Sequence, residues 1–183
     1  DMAVISLSGI AISKTINIAA DVFDEDIIKY VRCKYHLLIG KRTAEDVKIA
    51  IGCVYPRTEL VKHRIKGRNL ITGLPQYADV TSDEMLECLL EPAMKITQEI
   101  QRVLQSTPPE LMGDILSDGI IVTGASAQIY GFDKLIARKT EIPVRIADNP
   151  ATCVVEGAGK AIQFIDDMDK KEYGVLNPLS DAY

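Results

Sequence analysis

The run DGIIVTGASAQIYGFDKL, residues 118–135, reads as a turn, a short buried strand, a loop of small residues and a helix. Asp118-Gly119 turns the chain, and Ile120–Thr123 is apolar and β-branched. Gly124–Ala127 has no bulky side chain, and helical spacing then runs to about Lys139. Pro143–Ala147 follows as a second strand, and Asp148-Asn149-Pro150 opens another helix to about Asp166. Strands alternating with helices place the chain in the α/β class. A strand ending in glycine and small residues lets backbone amides approach a ligand, and the next helix N-terminus attracts anions. The same residues also describe a tight strand-to-helix turn. This segment alone leaves both readings open.

Working outward, Met2–Leu7 and Ile10–Ile18 alternate around Ser8-Gly9 as a β-hairpin. Asp21–Leu38 has helical spacing with Gly40 as its stop, and Thr43 caps a second helix, Ala44–Ile51. Glu59–Arg68 alternates, with Val61, His63 and Ile65 on one face and Lys62, Arg64, Lys66 and Arg68 on the other. Leu70–Leu74 and Gln76–Val80 read as further strands. Thr81-Ser82-Asp83-Glu84 is a capping box that opens a long helix to about Ser106, kinked at Pro92. Thr107-Pro108-Pro109-Glu110 reads as a second capping box, whose helix ends near Leu116.

Composition excludes several classes. The 183 residues are 47% hydrophobic but only 5% aromatic, with no Trp, so an aliphatic core is expected. The net charge of −5 argues against a general nucleic-acid binder, which needs a basic face. Cys33, Cys53, Cys88 and Cys153 are widely spaced, as befits reduced cytoplasmic thiols and not a zinc or redox motif. There is no membrane-span-length apolar run and no signal peptide. His36 and His63 have no ligand-like companions, and no catalytic triad can be drawn.

Four further features need weighing. TGAS opens like a short-chain dehydrogenase, with Tyr130 and Lys134 spaced as that family's catalytic pair. The next glycine, Gly131, comes too late for a pyrophosphate turn. GAGK at 157–160 lacks both the leading glycine and the trailing Ser or Thr of a P-loop. Glu45 and Lys48 in RTAEDVK (42–48) are three apart on a helix. They read as a surface ion pair, or as groups flanking a nucleoside. The basic strand face reads as solvated, or as facing an acidic partner such as another subunit.

In order, DMAVISLSGI, DEDIIKYV, IGKRTAEDVKIAIG, ITGLP, TPPELMGDIL, DGIIVTGASAQIYGFDKL and PVRIADNPATCVVEGAGKAI cover most of residues 1–165. The series resembles the C-terminal half of the MreB/Mbl-type bacterial actin homologues. The resemblance implies an actin-like ATPase (RNase-H-like) fold, α/β, second half, with a small inserted α+β subdomain. Residues 1–19 and 81–168 would form the RNase-H-like subdomain, 20–80 the insertion, and 169–183 a loosely ordered tail.

The resemblance also implies ATP with Mg²⁺ in the cleft of the complete protein. The nucleotide-binding residues would be Glu45, Asp46, Val47 and Lys48, with Gly124, Ala125, Ser126 and Ala127. Asp1 would be the last residue of the phosphate-2 loop. That makes this chain a fragment lacking the first phosphate loop, most of the second and the water-orienting acid. Nucleotide binding is then weak or absent, and no catalytic or metal residue is assigned. The family's glycines are replaced at Ala20, Ala125 and Ser126, which crowds the backbone near the nucleotide. The partners implied are a homopolymer filament and the membrane-associated cell-wall synthesis machinery, at the inner face of the membrane. The rivals are an actin-superfamily chaperone or kinase relative, and a nucleotide-free structural fragment that assembles through 20–80.

Overall fold

The computed structural model describes residues 1–7 and 9–163. Strands β1 (Met2–Ser6) and β2 (Gly9–Lys14) form an antiparallel hairpin with an irregularity between Val4 and Ile5. Leu7 lies in the turn and Gly9 already in β2, while Ser8 lies outside the described residues, and β2 ends four residues before Ile18. Lys14 on β2 pairs with Glu99 of the long central helix at 2.7 Å, which fastens the hairpin to it.

Helix α1 (Ala20–Tyr35) buries Phe23, Ile27 and Val31, a stripe at four-residue spacing. It ends at His36, in the left-handed conformation at φ 51°, and not at Gly40. Leu37–Leu38 leave the helix as β3, pairing with β4. Gly40 is the N-cap of α2 (Lys41–Ile51), so α2 starts before the expected cap at Thr43.

Strands β4 (Lys62–Asn69) and β5 (Pro75–Thr81) pair antiparallel, giving the order β3-β4-β5. Ile65 is buried, whereas Lys62, Arg64, Lys66 and Arg68 are exposed, as the alternation implies. Leu70–Leu74 is the hairpin loop and not a strand. Asn69 Oδ1 accepts from the amides of Ile71 and Thr72, both at 2.8 Å, and this side-chain bonding replaces strand pairing.

Helix α3 (Ser82–Ser106) is one uninterrupted helix containing Pro92. The expected capping box closes: Glu84 N–H donates to Thr81 Oγ1, and Thr81 N–H to Glu84 Oε2 at 2.7 Å. The buried stripe runs through Met85, Leu89, Ala93 and Thr97, and Leu90 faces outward. Helix α4 (Pro109–Asp118) has no second capping box. Thr107 is turned back and donates to Val103 O at 2.8 Å, so Pro108 takes the cap position.

Strands β6 (Ile120–Val122) and β7 (Val144–Ile146) are parallel. Between them lie a four-residue 3₁₀ turn (Ala125–Gln128) and α5 (Phe132–Thr140), in place of one continuous helix. Helix α6 is described over Cys153–Gln163. The expected tail, 169–183, lies outside the described residues. One apolar cluster joins α1, α2, β4, β5, α3 and α5, from Phe23 through Met85 to Ile136. Among the described residues no helix is long and apolar enough to cross a membrane.

A polar knot closes the junction of α1, β5 and α3. Glu84 accepts from Tyr35 Oη at 2.5 Å and Lys34 Nζ at 2.8 Å, besides Thr81. Burial pushes the Glu84 carboxyl upward, but Lys34, Tyr35 and Thr81 outweigh it and hold it below its ordinary value. Burial and the same carboxylate raise Tyr35 to about 12.

A depressed carboxyl stabilises the fold above its unfolded value and loses that contribution as pH falls through its folded value. Denaturant midpoints should therefore fall from about pH 4.5 downward, with a weaker fall in Glu84→Gln; equal pH slopes would remove Glu84 from the account. Thr81→Ala should cost about 1 kcal/mol and lower Tm by about 3 °C, read by thermal unfolding.

Candidate nucleotide site

Parallel strands in α/β sheets point their carboxyl ends at a crevice where ligands collect. The loops after β6 and β7 meet there. Gly124 N–H donates to Pro150 O at 2.8 Å, and Thr123 Oγ1 and Cys153 Sγ approach the same carbonyl at 3.3 Å each. Thr123 Oγ1 and Cys153 Sγ also touch each other. Asn149, at φ 49°, accepts from the amides of Thr152 and Cys153 at the start of α6. A depression of about 350 Å³ opens between Gln128 of the 3₁₀ turn and Asn149–Thr152.

Gly124 has φ +90°, a conformation L-residues rarely adopt, and no atom lies within 4 Å of where its Cβ would stand. Ala127 N–H donates back to Gly124 O at 3.0 Å. The amides of Ala125 and Ser126 make no backbone bond among the described residues. Ala125 is exposed, Ser126 half-buried and Ala127 buried. The turn thus presents backbone donors beside an open depression, which suits a polar ligand edge or an anion.

The other expected residues lie on α2. Glu45 and Asp46 are exposed, and Val47 is a core residue at 0% exposure. Lys48 is buried and does not pair with Glu45. Its Nζ lies 2.8 Å from Asp24 Oδ1 on α1 and donates to Ala20 O at 3.3 Å. The Asp24 contact has the distance of an ion pair but not the angles of a hydrogen bond. The surface pair expected from three-residue spacing is therefore replaced by a buried inter-helix pair. Asp24 went unsingled because nothing in DVFDED marks which acid turns inward.

No hydrogen bond or ion pair among the described residues joins 45–48 to 124–127. A strut connects them indirectly. Val54 N–H donates to Tyr130 O at 3.0 Å, and Cys53 bridges Tyr130 in parallel register. Arg57 lies over the Tyr130 ring at 4.4 Å and donates to Gly52 O at 3.1 Å. Lys134 lies 5.1 Å from the same ring, so the Tyr130–Lys134 spacing serves packing at this strut. Gly131, at φ +79°, sits where a Cβ would come within 2.2 Å of Tyr55 Cβ.

The family described as "MreB/Mbl protein" matches residues 1–170. The cell shape-determining protein Mbl of Bacillus cereus is 44% identical over 171 residues, 93% of this chain and 51% of its own length. The cell shape-determining protein MreB of Escherichia coli K12 is 43% identical over 166 residues, 91% of this chain and 48% of its own length. The chain thus spans about half the length of these curated relatives. Among solved structures, MreB5 of Spiroplasma citri bound to ADP superimposes with a TM-score of 0.85 at 38% identity, covering 91% of this chain and 51% of that one. A MamK double helical filament, at 21% identity and a TM-score of 0.69, shares the fold. The architecture is part of an actin-like fold.

Gly131→Ala should destabilise the chain by about 2–4 kcal/mol, combining left-handed strain with a clash against Tyr55 Cβ. Chemical unfolding measures it; a loss below about 1 kcal/mol would mean the strut is pliable.

Proposed function

The chain belongs to the MreB/Mbl family, and from that premise we propose that its 124–127 turn and the α2 segment 45–48 form the adenosine side of an ATP site. The observation that carries this reading is the Gly124 turn, with its open space and two amides that make no backbone bond among the described residues, at the carboxyl ends of β6 and β7. Support comes from the S. citri MreB5 structures, bound to ADP and to AMPPNP.

On this reading Ala125 and Ser126 amides meet the nucleoside, and exposed Glu45 reaches its ribose. Val47 contributes from the core side of α2. Lys48, neutralised by Asp24, seats α2 on α1 and lines the site with its stem. On this reading the two lobes are 1–19 with 81–168, of which 164–168 lie outside the described residues, and 20–80.

Mg²⁺ bound with the nucleotide supplies charge neutralisation at the phosphates. Among the described residues no three His, Cys, Asp or Glu side chains converge as a cation requires, so no step is assigned to it here. The phosphate-gripping side belongs to the part of the relatives that this chain does not match. These 183 residues by themselves bind nucleotide weakly and do not turn it over. In the cell the protein is part of an actin-like homopolymer that organises wall synthesis at the inner face of the cytoplasmic membrane and so determines shape.

Titration with a fluorescent N-methylanthraniloyl ATP should show weak, saturable binding, reduced about tenfold or more in Gly124→Val. No steady phosphate release should occur. Equal binding by Gly124→Val would remove the turn from the site, and steady turnover by the purified chain would overturn the division of labour.

A further inference from the structure

The depression beside the Gly124 turn is lined by Gln128, Asn149, Pro150, Ala151 and Thr152. Most of the polar groups around it are already bonded. Pro150 O accepts from Gly124 N–H at 2.8 Å and faces the Thr123 hydroxyl and the Cys153 thiol at 3.3 Å each. Asn149 O accepts from the amides of Thr152 and Cys153 at 3.0 and 3.1 Å. The Thr152 hydroxyl donates to Glu156 Oε1 at 2.6 Å. These bonds leave two carboxamides, those of Gln128 and Asn149, with no hydrogen bond among the described residues.

Gln128 closes the 3₁₀ turn to which the Ala125 and Ser126 amides belong. Its neighbours Ala127 and Ile129 are buried, while Gln128 itself is exposed. The buried pair pins the backbone on both sides and leaves this one side chain turned out of the core. Across the depression, Pro150 and Ala151 give an apolar wall. The space is about 350 Å³, with backbone donors at one end and a carboxamide at the rim. That combination suits a flat heteroaromatic ring with a polar edge.

A carboxamide donates through its amino group and accepts through its oxygen at the same time. Adenine offers the matching pair on one edge, an N6 amino donor beside the N7 acceptor, and glutamine can bond both at once. A 6-oxopurine presents O6 and N7 there, two acceptors in a row. The carboxamide oxygen then faces another oxygen, and one of the two bonds is lost. We propose that Gln128 is a specificity-determining residue of the nucleotide crevice, reading the N6–N7 edge of adenine and rejecting 6-oxopurines.

This inference rests on the nucleotide reading of the crevice and adds to it a residue outside 45–48 and 124–127. Discrimination comes from the mismatch, because a site built to hydrogen-bond one edge leaves its polar groups unpaired against another. Asn149 has a different part. Its backbone turns at φ 49° and its carbonyl holds the start of α6, so it shapes the loop.

The test is competition by ATP, ITP, GTP and 7-deaza-ATP against N-methylanthraniloyl ATP on the purified chain. ITP carries the 6-oxo group without the extra amine of GTP, and 7-deaza-ATP lacks only the N7 acceptor. We expect ATP to compete about fivefold or more better than each of the other three. In Gln128→Leu, which keeps the size of the side chain, ATP, ITP and 7-deaza-ATP should converge. Gln128→Glu, which cannot donate to N7, should lose the preference for ATP over 7-deaza-ATP. Equal competition by the four nucleotides, with Gly124→Val still weakening binding, would overturn this inference and leave the crevice reading standing. A preference for ATP that survives in Gln128→Leu would overturn it too. So would a preference that disappears in Asn149→Gly, a change compatible with the positive φ there, while Gln128→Leu keeps it. Absence of saturable binding by any nucleotide would defeat the crevice reading and this inference together.

Discussion

The crossing of Tyr55 and Gly131 is the constraint on which the candidate site depends. Gly131 lies so close to Tyr55 that even a methyl group would overlap the tyrosine Cβ. Gly131 also turns the chain, at φ +79°, into the N-cap of α5. The Val54–Tyr130 hydrogen bond and the Cys53–Tyr130 bridge then lock the exit of α2 to the exit of the 3₁₀ turn. Among the described residues no hydrogen bond or ion pair joins 45–48 to 124–127. Their relative placement is inherited from this strut and from the shared core beneath it, where Val47, Val54 and Phe132 pack together in one cluster.

Charge is used at the joints and not in the crevice. Lys48 and Asp24 pair between α1 and α2 with both side chains almost excluded from solvent. A buried pair of this kind contributes little net stability against an apolar replacement, but losing one partner strands the other charge. Its effect is to fix how α2 sits on α1, and through Ala20 O it reaches the first turn of α1. The Glu84 knot does the same where α1 meets α3. Both knots rely on long-range partners, since Tyr35 and Glu84 are 49 positions apart.

That distance explains what could and could not be read from residues. The capping box at Thr81 is local, and so are the β6 strand and the small loop after it; each was legible from a few neighbours. The alternation of Lys62, Arg64, Lys66 and Arg68 likewise announced an exposed strand face. Leu70–Leu74 misled because its apolar residues imply a buried strand, whereas Asn69 folds them into a loop through its own side chain. Thr107 misled because its hydroxyl had two local options and took the preceding turn. Gly40 could end one helix or begin another, and His36 adopting the left-handed conformation settled it. Asp24 and the strut at Tyr130 were illegible because only tertiary packing selects them.

The departures from a run of glycines at the small loop bear on the site differently once conformation is considered. Glycine is required where φ is positive or where another atom occupies the Cβ position. Gly124 meets the first condition, at φ +90°. Ala125 and Ser126 meet neither: they sit in a 3₁₀ turn and are not among the residues with positive φ. Their side chains therefore add no backbone strain, and the turn keeps its shape without glycine at either position. What the methyl and hydroxymethyl groups change is the local approach of a ligand, which depends on the direction each takes from an exposed turn. Ala20 follows the same logic, because it starts α1 with helical geometry and offers its carbonyl to Lys48. The loop sequence is thus compatible with the fold.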